Sequence, residues 1–394
     1  MTGRFGRRRL LAAVGTGLAV GLAGCGYQPG AGELEWTERV GSGGIPGRSR
    51  DRRWFAARDR LVAIQNRSGR THDFDAGEWV DVRDARVTVY DAGGESQSVT
   101  TDAQYEGEPA LTDRGIYVPL EDGDVTALEW PDEREETDDD DENATRWTAG
   151  REGDPLELVA GDDLVVGAHD DGLLAFDAGS GDRLLELSFE ERSFDGVTDV
   201  AVAGGSIWLS TDGDESTLYR LDADGDERTA RSLPSASQWL EPIGNRVLAG
   251  LEPDGDSVVW GVDEAGERWL TLEVGGRPRD PPTVVGDRLY LASGGELLAV
   301  DAASGERAWT LEAPFFGEIA ADEEGIYGRR RDVGGAECGL VAVTTAGEER
   351  WTATLPAEVG CSGDLFLLED RLVVVDGSEL YGFRREPGRR YTFL

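Results

Sequence analysis

The sequence predicts an all-β fold, an eight-bladed β-propeller of four-stranded antiparallel blades closed by an N-terminal strand. Three observations predict it. Short strand-like runs separated by Gly- or Asp-bearing turns fill the chain from residue 34 onward. The clearest unit, residues 282–311, reads as four such runs and three turns. Units of this kind recur at spacings of about 37 to 54 residues, which suits one blade each, and eight of them close a ring.

In the clearest unit, Pro282 precedes a short apolar run, and Gly286-Asp287 makes a tight turn because Gly accepts positive φ. Residues 288–292 form the second run, Ser293-Gly294-Gly295 the second turn, and residues 295–301 the third run. Residues 302–305 turn the chain into the fourth, residues 306–312. Each run is too short for a helix to be the better reading. Leu289, Tyr290 and Leu291 are consecutive, as in strands covered on both faces. One meander cannot cover both faces alone, so copies must stand on either side.

Residues 1–24 read as an export signal. Arg7-Arg8-Arg9 is a twin-arginine start, residues 10–22 are a short apolar run, and Leu22-Ala23-Gly24-Cys25 is a lipobox. Cys25 is the expected lipidation site, residues 25–33 the tether, and residues 34–394 the propeller. The competing reading is an uncleaved membrane anchor. No other segment is apolar enough to span a membrane. The expected address is the extracytoplasmic face of the cell membrane, held by the lipid on Cys25.

Residues 33–40 are an isolated strand with no three strands before it, and residues 41–50 are a connecting loop. Unit one has second-strand residues 59–64, a long excursion over 65–86, and third-strand residues 86–91. Units two to eight follow with second strands at 115–118, 164–167, 206–209, 246–249, 288–292, 325–328 and 371–375. Ring closure explains the orphan strand. It supplies the outermost strand of unit eight and removes an exposed edge. Residues 391–394 compete for the same edge.

The formal net charge is −40, and all 39 basic residues are arginine. Self-repulsion of this size needs salt to screen it, which points to an extreme halophile. The sharper reading, a cation-storage or basic-partner surface, fits less well because the acid is spread over nearly every turn. The charge argues against nucleic acid as a partner. The chain is expected to be monomeric. Cys338 and Cys361 lie in neighbouring units at an oxidising address, either as a disulfide or as two small buried residues.

Ala299-Val300-Asp301-Ala302-Ala303-Ser304-Gly305-Glu306-Arg307-Ala308-Trp309 resembles the tryptophan-docking repeat of pyrroloquinoline-quinone (PQQ)-like propellers. Ala175, Asp177, Ser180 and Gly181 match it, with Leu185 in place of the Trp. Gly347 and Trp351 match without the Asp, and Asp263, Gly266 and Trp269 match with one residue fewer. The resemblance implies that Asp301, Ser304 and Gly305 build the turn. It also implies that Trp36, Trp147, Trp269, Trp309 and Trp351 dock on a neighbouring blade. The plain role of these tryptophans is structural, ahead of a substrate platform.

Two kinds of family member bear on function. Quinoprotein alcohol and sugar dehydrogenases hold PQQ with calcium, whereas BamB-like lipoproteins bind other proteins and carry no cofactor. Size, tether and short blades resemble the second kind. A vicinal cysteine pair, which the dehydrogenases need, is absent. The expectation is a non-catalytic protein-interaction scaffold or extracytoplasmic assembly factor without cofactor or metal. The alternative is a PQQ-dependent dehydrogenase, with a sensor using the central channel as a third option.

The remaining features are local. His72 and His169 sit in acidic loops without zinc-ligand spacing. Residues 132–142 hold nine acids in eleven positions, a solvated loop rather than a spaced calcium site. Asn66 and Asn143 fit the N-glycosylation acceptor on surface loops. Arg52, Arg53, Arg329, Arg330, Arg331, Arg384 and Arg385 fall in units that become neighbours on closure. They form a candidate surface for an acidic partner or glycan, or else pair locally with Asp51, Asp332 and Glu386.

Overall fold

The computed structural model describes residues 31–40, 52–57, 59–73, 77–130, 144–150, 156–213, 215–275, 280–334, 336–361 and 363–386. Every sheet in it is a four-stranded antiparallel meander. Blade six, the clearest unit, runs Thr283–Val285, Arg288–Ser293, Glu296–Asp301 and Arg307–Glu312. Eight such blades stand in a ring, as the repeat spacing predicts. Blade eight takes Asp364–Leu368, Arg371–Asp376 and Glu379–Arg384 from one end of the chain and Leu34–Arg39 from the other. The N-terminal strand is outermost there, with Thr37 opposite Tyr381 and Arg39 opposite Glu379. The C-terminal residues 391–394, which compete for that edge, lie outside the described residues.

The core is divided among the blade interfaces. One cluster joins Val62, Ile64 and Val87 of blade one to Ile116, Val118 and Trp130 of blade two. Another joins Leu61 and Tyr90 to Val373 and Leu380 across the closure. Each sheet therefore buries its faces against its neighbours, and the middle strands are apolar without alternation. First strands touch the first strands of neighbouring blades, so they line the centre of the ring.

Antiparallel alternation sorts the connections onto two faces. Turns from third to fourth strands share one face, the docking-turn face. Turns from second to third strands share the other face with the blade-to-blade connections, the connection face. Blade one corrects the expected excursion. Residues 65–86 are continuous strand in Arg60–Asp73 and Glu78–Tyr90, paired from Leu61↔Tyr90 to Asp73↔Glu78. Arg52–Ala57 and Ser96–Thr100 flank only the inner part of this pair. The outer part is a two-stranded ribbon rising from the connection face. Its polar run Asn66-Arg67-Ser68-Gly69-Arg70 looks like a loop because a ribbon outside the blade has no core to bury.

Candidate functional site

The blade fastenings account for most of the motif residues. In blade six the Asp301 carboxylate accepts from the Ser304 amide at 2.8 Å, the Ser304 hydroxyl at 2.8 Å and the Ala303 amide at 3.2 Å. These bonds, led by the Ser304 amide, hold Asp301 below the usual carboxylate range. Gly305 N–H donates to Asp301 O at 2.8 Å, and Asp301 N–H to Glu306 O at 2.9 Å. Gly305 sits at φ +74°, which a side chain rarely adopts.

At six junctions a side chain packs on the next blade's turn glycine, and all but Trp147 stand four places after their own turn glycine. Trp36 meets Gly94, Trp147 meets Gly181, Leu185 meets Gly225, Thr229 meets Gly266, Leu270 meets Gly305, and Trp309 meets Gly347. Three indoles also donate to the receiving turn: Trp36 to Ala92 O at 3.0 Å, Trp147 to Ala178 O at 3.2 Å and Trp309 to Thr345 O at 2.8 Å. The expectation for Trp269 is corrected. It stands one residue short of the docking position, which Leu270 fills opposite Gly261. Its ring lies instead under the Arg246 guanidinium at 4.1 Å. Counting four from Gly266, rather than aligning the Trp, is the signal that finds Leu270.

Trp351 meets Gly32, and here the turn is built from both chain ends. Gly32 N–H donates to Arg384 O at 2.6 Å, and Arg384 N–H to Glu33 O at 3.0 Å. These bonds repeat the Gly305–Asp301–Glu306 pattern with no covalent link across it. In blade two the connection between third and fourth strands, residues 131–143, lies outside the described residues. Trp130, which leads into it, is fully buried and donates to Thr112 O at 3.1 Å. The motif search misses Trp130 because no turn glycine precedes it.

The candidate partner surface divides. Arg52, Arg53, Arg329, Arg330 and Arg331 lie toward the connection face, whereas Arg384 and Arg385 end the third strand of blade eight at the docking-turn face. Arg384 pairs with Glu35, and Arg385, 12% exposed, pairs with Asp322 and with Glu324 at 3.4 Å. The same network joins Arg371 to Glu35 and Arg350 to Glu386 at 3.0 Å. Arg329 is 3% exposed, so it offers no surface to a partner, and burial pulls its pKa down. Arg52 reaches Gln65, Arg53 pairs with Glu108 at 2.7 Å, and Arg330 pairs with Glu349 at 3.0 Å. Arg331 is exposed, opposite Cys338 in the strand pairing.

Cys338 and Cys361 form a disulfide with Cα atoms 5.5 Å apart, tying blade seven to the connection leading into blade eight. Asn66 is corrected as a glycan acceptor on a loop. It lies in a strand, its amide donates to Tyr105 O at 2.8 Å, and its oxygen accepts from Tyr105 N–H at 2.8 Å. Asn143, Cys25 and residues 132–142 lie outside the described residues. His169 Nδ1 accepts from Asp171 N–H at 3.2 Å, and His72 falls in the ribbon strand. Among the described residues, no group of three or more His, Cys, Asp and Glu is placed to hold a metal ion.

The ribbon is braced at its base and open above. Asn66 fastens it to Tyr105, Gln104 donates to Arg67 O at 3.1 Å, and Arg83 pairs with Glu121 of blade two at 2.6 Å. Cross-strand pairs Arg67–Asp84 and Arg70–Asp81 hold the two strands in register. Near its tip Trp79 is 58% exposed. In the inner ring, burial raises Asp199 to about 6, and burial together with Asp199 raises Glu241 to about 7.

These blades, fastened by Gly-plus-four docking and closed by an N-terminal strand, define an eight-bladed PQQ-like β-propeller. The family model described as outer membrane protein assembly factor BamB matches residues 25–230 and 244–332, and the chain belongs to that family. The crystal structure of BamB from Moraxella catarrhalis is similar at 14% identity and a TM-score of 0.53. That match covers 89% of this chain and 97% of that one, and at this identity it shows the fold. The computationally designed Ika8 protein is similar at 12% identity and TM-score 0.44, covering 84% of this chain and 100% of that one. A chain of the Mitotic Checkpoint Complex follows at 11% and 0.41, covering 91% and 94%. No curated protein sequence matches.

Proposed function

We propose that this chain is a non-catalytic, lipid-anchored propeller that serves as a protein-interaction scaffold or assembly factor at the extracytoplasmic face of the cell membrane. The observation that carries the reading is the ribbon of blade one. It leaves the ring on strands of 14 and 13 residues, is braced against blade two, and carries the exposed Trp79. Large exposed aromatics are the side chains that anchor protein interfaces. Membership in the BamB-described family supports the same reading. The repeat's Asp, Ser, Gly and Trp are occupied with fastening blades and supply no reacting group.

The tether supports a defined orientation. The chain enters at Gly32, on the docking-turn face, seven residues after Cys25. A lipid on Cys25 therefore puts that face toward the membrane and the ribbon on the far side. The test is a photo-crosslinking residue at position 79, with position 184 on the outer strand of blade three as control, in intact cells in high salt. Leu184 is 46% exposed, so both positions are accessible. A discrete protein adduct at 79 and none at 184 is expected. Equal labelling at both, or dye-linked alcohol oxidation after adding PQQ and calcium to the purified protein, overturns the reading.

A further inference from the structure

The ribbon of blade one has an edge that no strand covers among the described residues. Ser96–Thr100 pairs with Glu78–Tyr90 only from Tyr90↔Ser96 to Arg86↔Thr100, so residues 78–84 end the ribbon on that side. Ala85 fixes which way the backbone points. Its C=O accepts from Thr101 N–H at 2.9 Å, and its N–H donates to Thr101 Oγ1 at 3.0 Å, so both groups face away from Arg60–Asp73. Backbone groups alternate sides from residue to residue along an antiparallel strand. The N–H and C=O of Trp79, Asp81 and Arg83 therefore face outward along the edge, and those of Val80, Val82 and Asp84 face Arg60–Asp73. Of the outward groups, the Trp79 carbonyl takes one long bond, from Arg70 at 3.4 Å.

We propose that this edge receives an extended segment of the protein partner as an added strand, an inference that rests on the scaffold reading above. Natural sheets guard their edges with proline, lysine, bulges or very short strands. Here the strands run 14 and 13 residues without a register shift, and residues 78–85 contain neither Pro nor Lys. The charges on the edge are spent, Asp81 on Arg70, Arg83 on Glu121 and Asp84 on Arg67. What the edge offers is backbone, and its match is another extended backbone. A two-stranded ribbon is marginal in water, and a third strand adds a ladder that it lacks. The side chains specify the segment further. Val80 and Val82 are half-buried on one face, with Gly69 opposite Val82, so apolar residues at alternate positions of the added strand pack there. Trp79, 58% exposed, stands on the other face.

The test keeps the photo-crosslinking residue at position 79, in intact cells in high salt, and compares Asp81→Pro with Asp81→Ala. Proline at 81 removes an outward N–H and none of the ribbon's own bonds. The partner adduct should fall at least about tenfold in Asp81→Pro, which loses a ladder bond and pushes its ring into the edge. It should stay within about twofold in Asp81→Ala, because the pair with Arg70 is exposed. An undiminished adduct in Asp81→Pro overturns strand addition and leaves the scaffold reading standing. No adduct with Asp81 in place overturns both. Equal loss in the two variants assigns the contact to the Asp81 side chain, and an adduct of twice the chain's mass assigns the edge to a second copy. Either result rejects the proposal. Amide exchange checks the ribbon itself, since Val80, Val82 and Asp84 should stay protected in Asp81→Pro. Where they do not, Arg83→Pro against Arg83→Ala decides by the same outcomes.

Discussion

The fastening between blades six and seven and the fastening between blades seven and eight use the same geometry with different connectivity. At the first, Trp309 lies on Gly347 of an unbroken turn and donates to Thr345 O at 2.8 Å. At the second, Trp351 lies on Gly32 of a turn assembled from two chain ends. The backbone bonds are reproduced there, but the Trp351 Nε1 is buried without a partner among the described residues. The closure turn keeps the packing, and no described residue accepts from its indole. Its strength comes instead from ion pairs, with Glu35 of the N-terminal strand receiving both Arg371 and Arg384. A propeller can thus restore the shape of a docking turn non-covalently, but it must hold the ends by other means.

The largest effect that would sharpen this contrast is removal of the N-terminal strand. A chain beginning after Val40 exposes the edge of Glu379–Arg384 and breaks the core cluster at blades eight and one. Calorimetry should show loss of the single cooperative transition. A propeller that still melts in one transition at an unchanged temperature would break the comparison.

Next in size, Glu35→Ala leaves two half-buried guanidiniums without their shared partner. The expected cost is about 3 kcal/mol by denaturant titration, at the low end for orphaning a buried ion pair. Reduction of Cys338–Cys361 acts on the same side of the ring. It should cost about 2 to 4 kcal/mol, because it releases a loop of 23 residues in the unfolded chain. A smaller difference separates the two indoles directly. Trp309→Phe removes a made hydrogen bond and should cost about 1 kcal/mol more than Trp351→Phe, which removes an unmade one.

The smallest effect is a pH profile. Asp177, Asp222 and Asp301 are held below the ordinary range chiefly by turn amides, so their stabilisation is present above the unfolded carboxylate pKa. It is lost as pH falls through their folded values. Asp199 and Glu241 have the opposite sign. Burial raises them to about 6 and about 7, so the folded state holds protons that the unfolded state releases. Their burial penalty is full above about 7 and is relieved as pH falls toward the unfolded value near 4.5. Thermal stability should therefore rise from pH 8 to about 5 and then fall. Glu241→Gln should flatten the upper limb and spare the lower one, and an unaltered upper limb would show that the inner ring does not set it.

Much of this architecture is legible in residue order, because turns announce themselves. Gly286-Asp287 and Ser304-Gly305 mark where a strand must end, and the consecutive Leu289-Tyr290-Leu291 demand neighbours on both faces. The Trp-docking motif is legible as well, but aligning it on the indole misplaces Trp269. Packing selects the position four after the glycine whatever residue stands there, as Leu185, Thr229 and Leu270 demonstrate. The ribbon is not legible. Its strands are held by cross-strand charge pairs such as Arg67–Asp84 rather than by an apolar pattern. The candidate arginine surface is not legible either, since sequence proximity cannot separate Arg331 from Arg385 on the opposite face.

Local chemistry by itself thus determined the strands, the turns, the number of blades and the need for an N-terminal strand at the closure. Each of these follows from a propensity or a spacing contained within one unit. Only the tertiary structure decided which arginines are surface and which are buried, and where Asn66 spends its amide. It alone showed that Gly32, Glu33 and Arg384 form a turn. The closure turn joins atoms more than 300 residues apart in the chain, and the Asn66 amide meets a partner 39 residues away, so neither contact can be read within one unit.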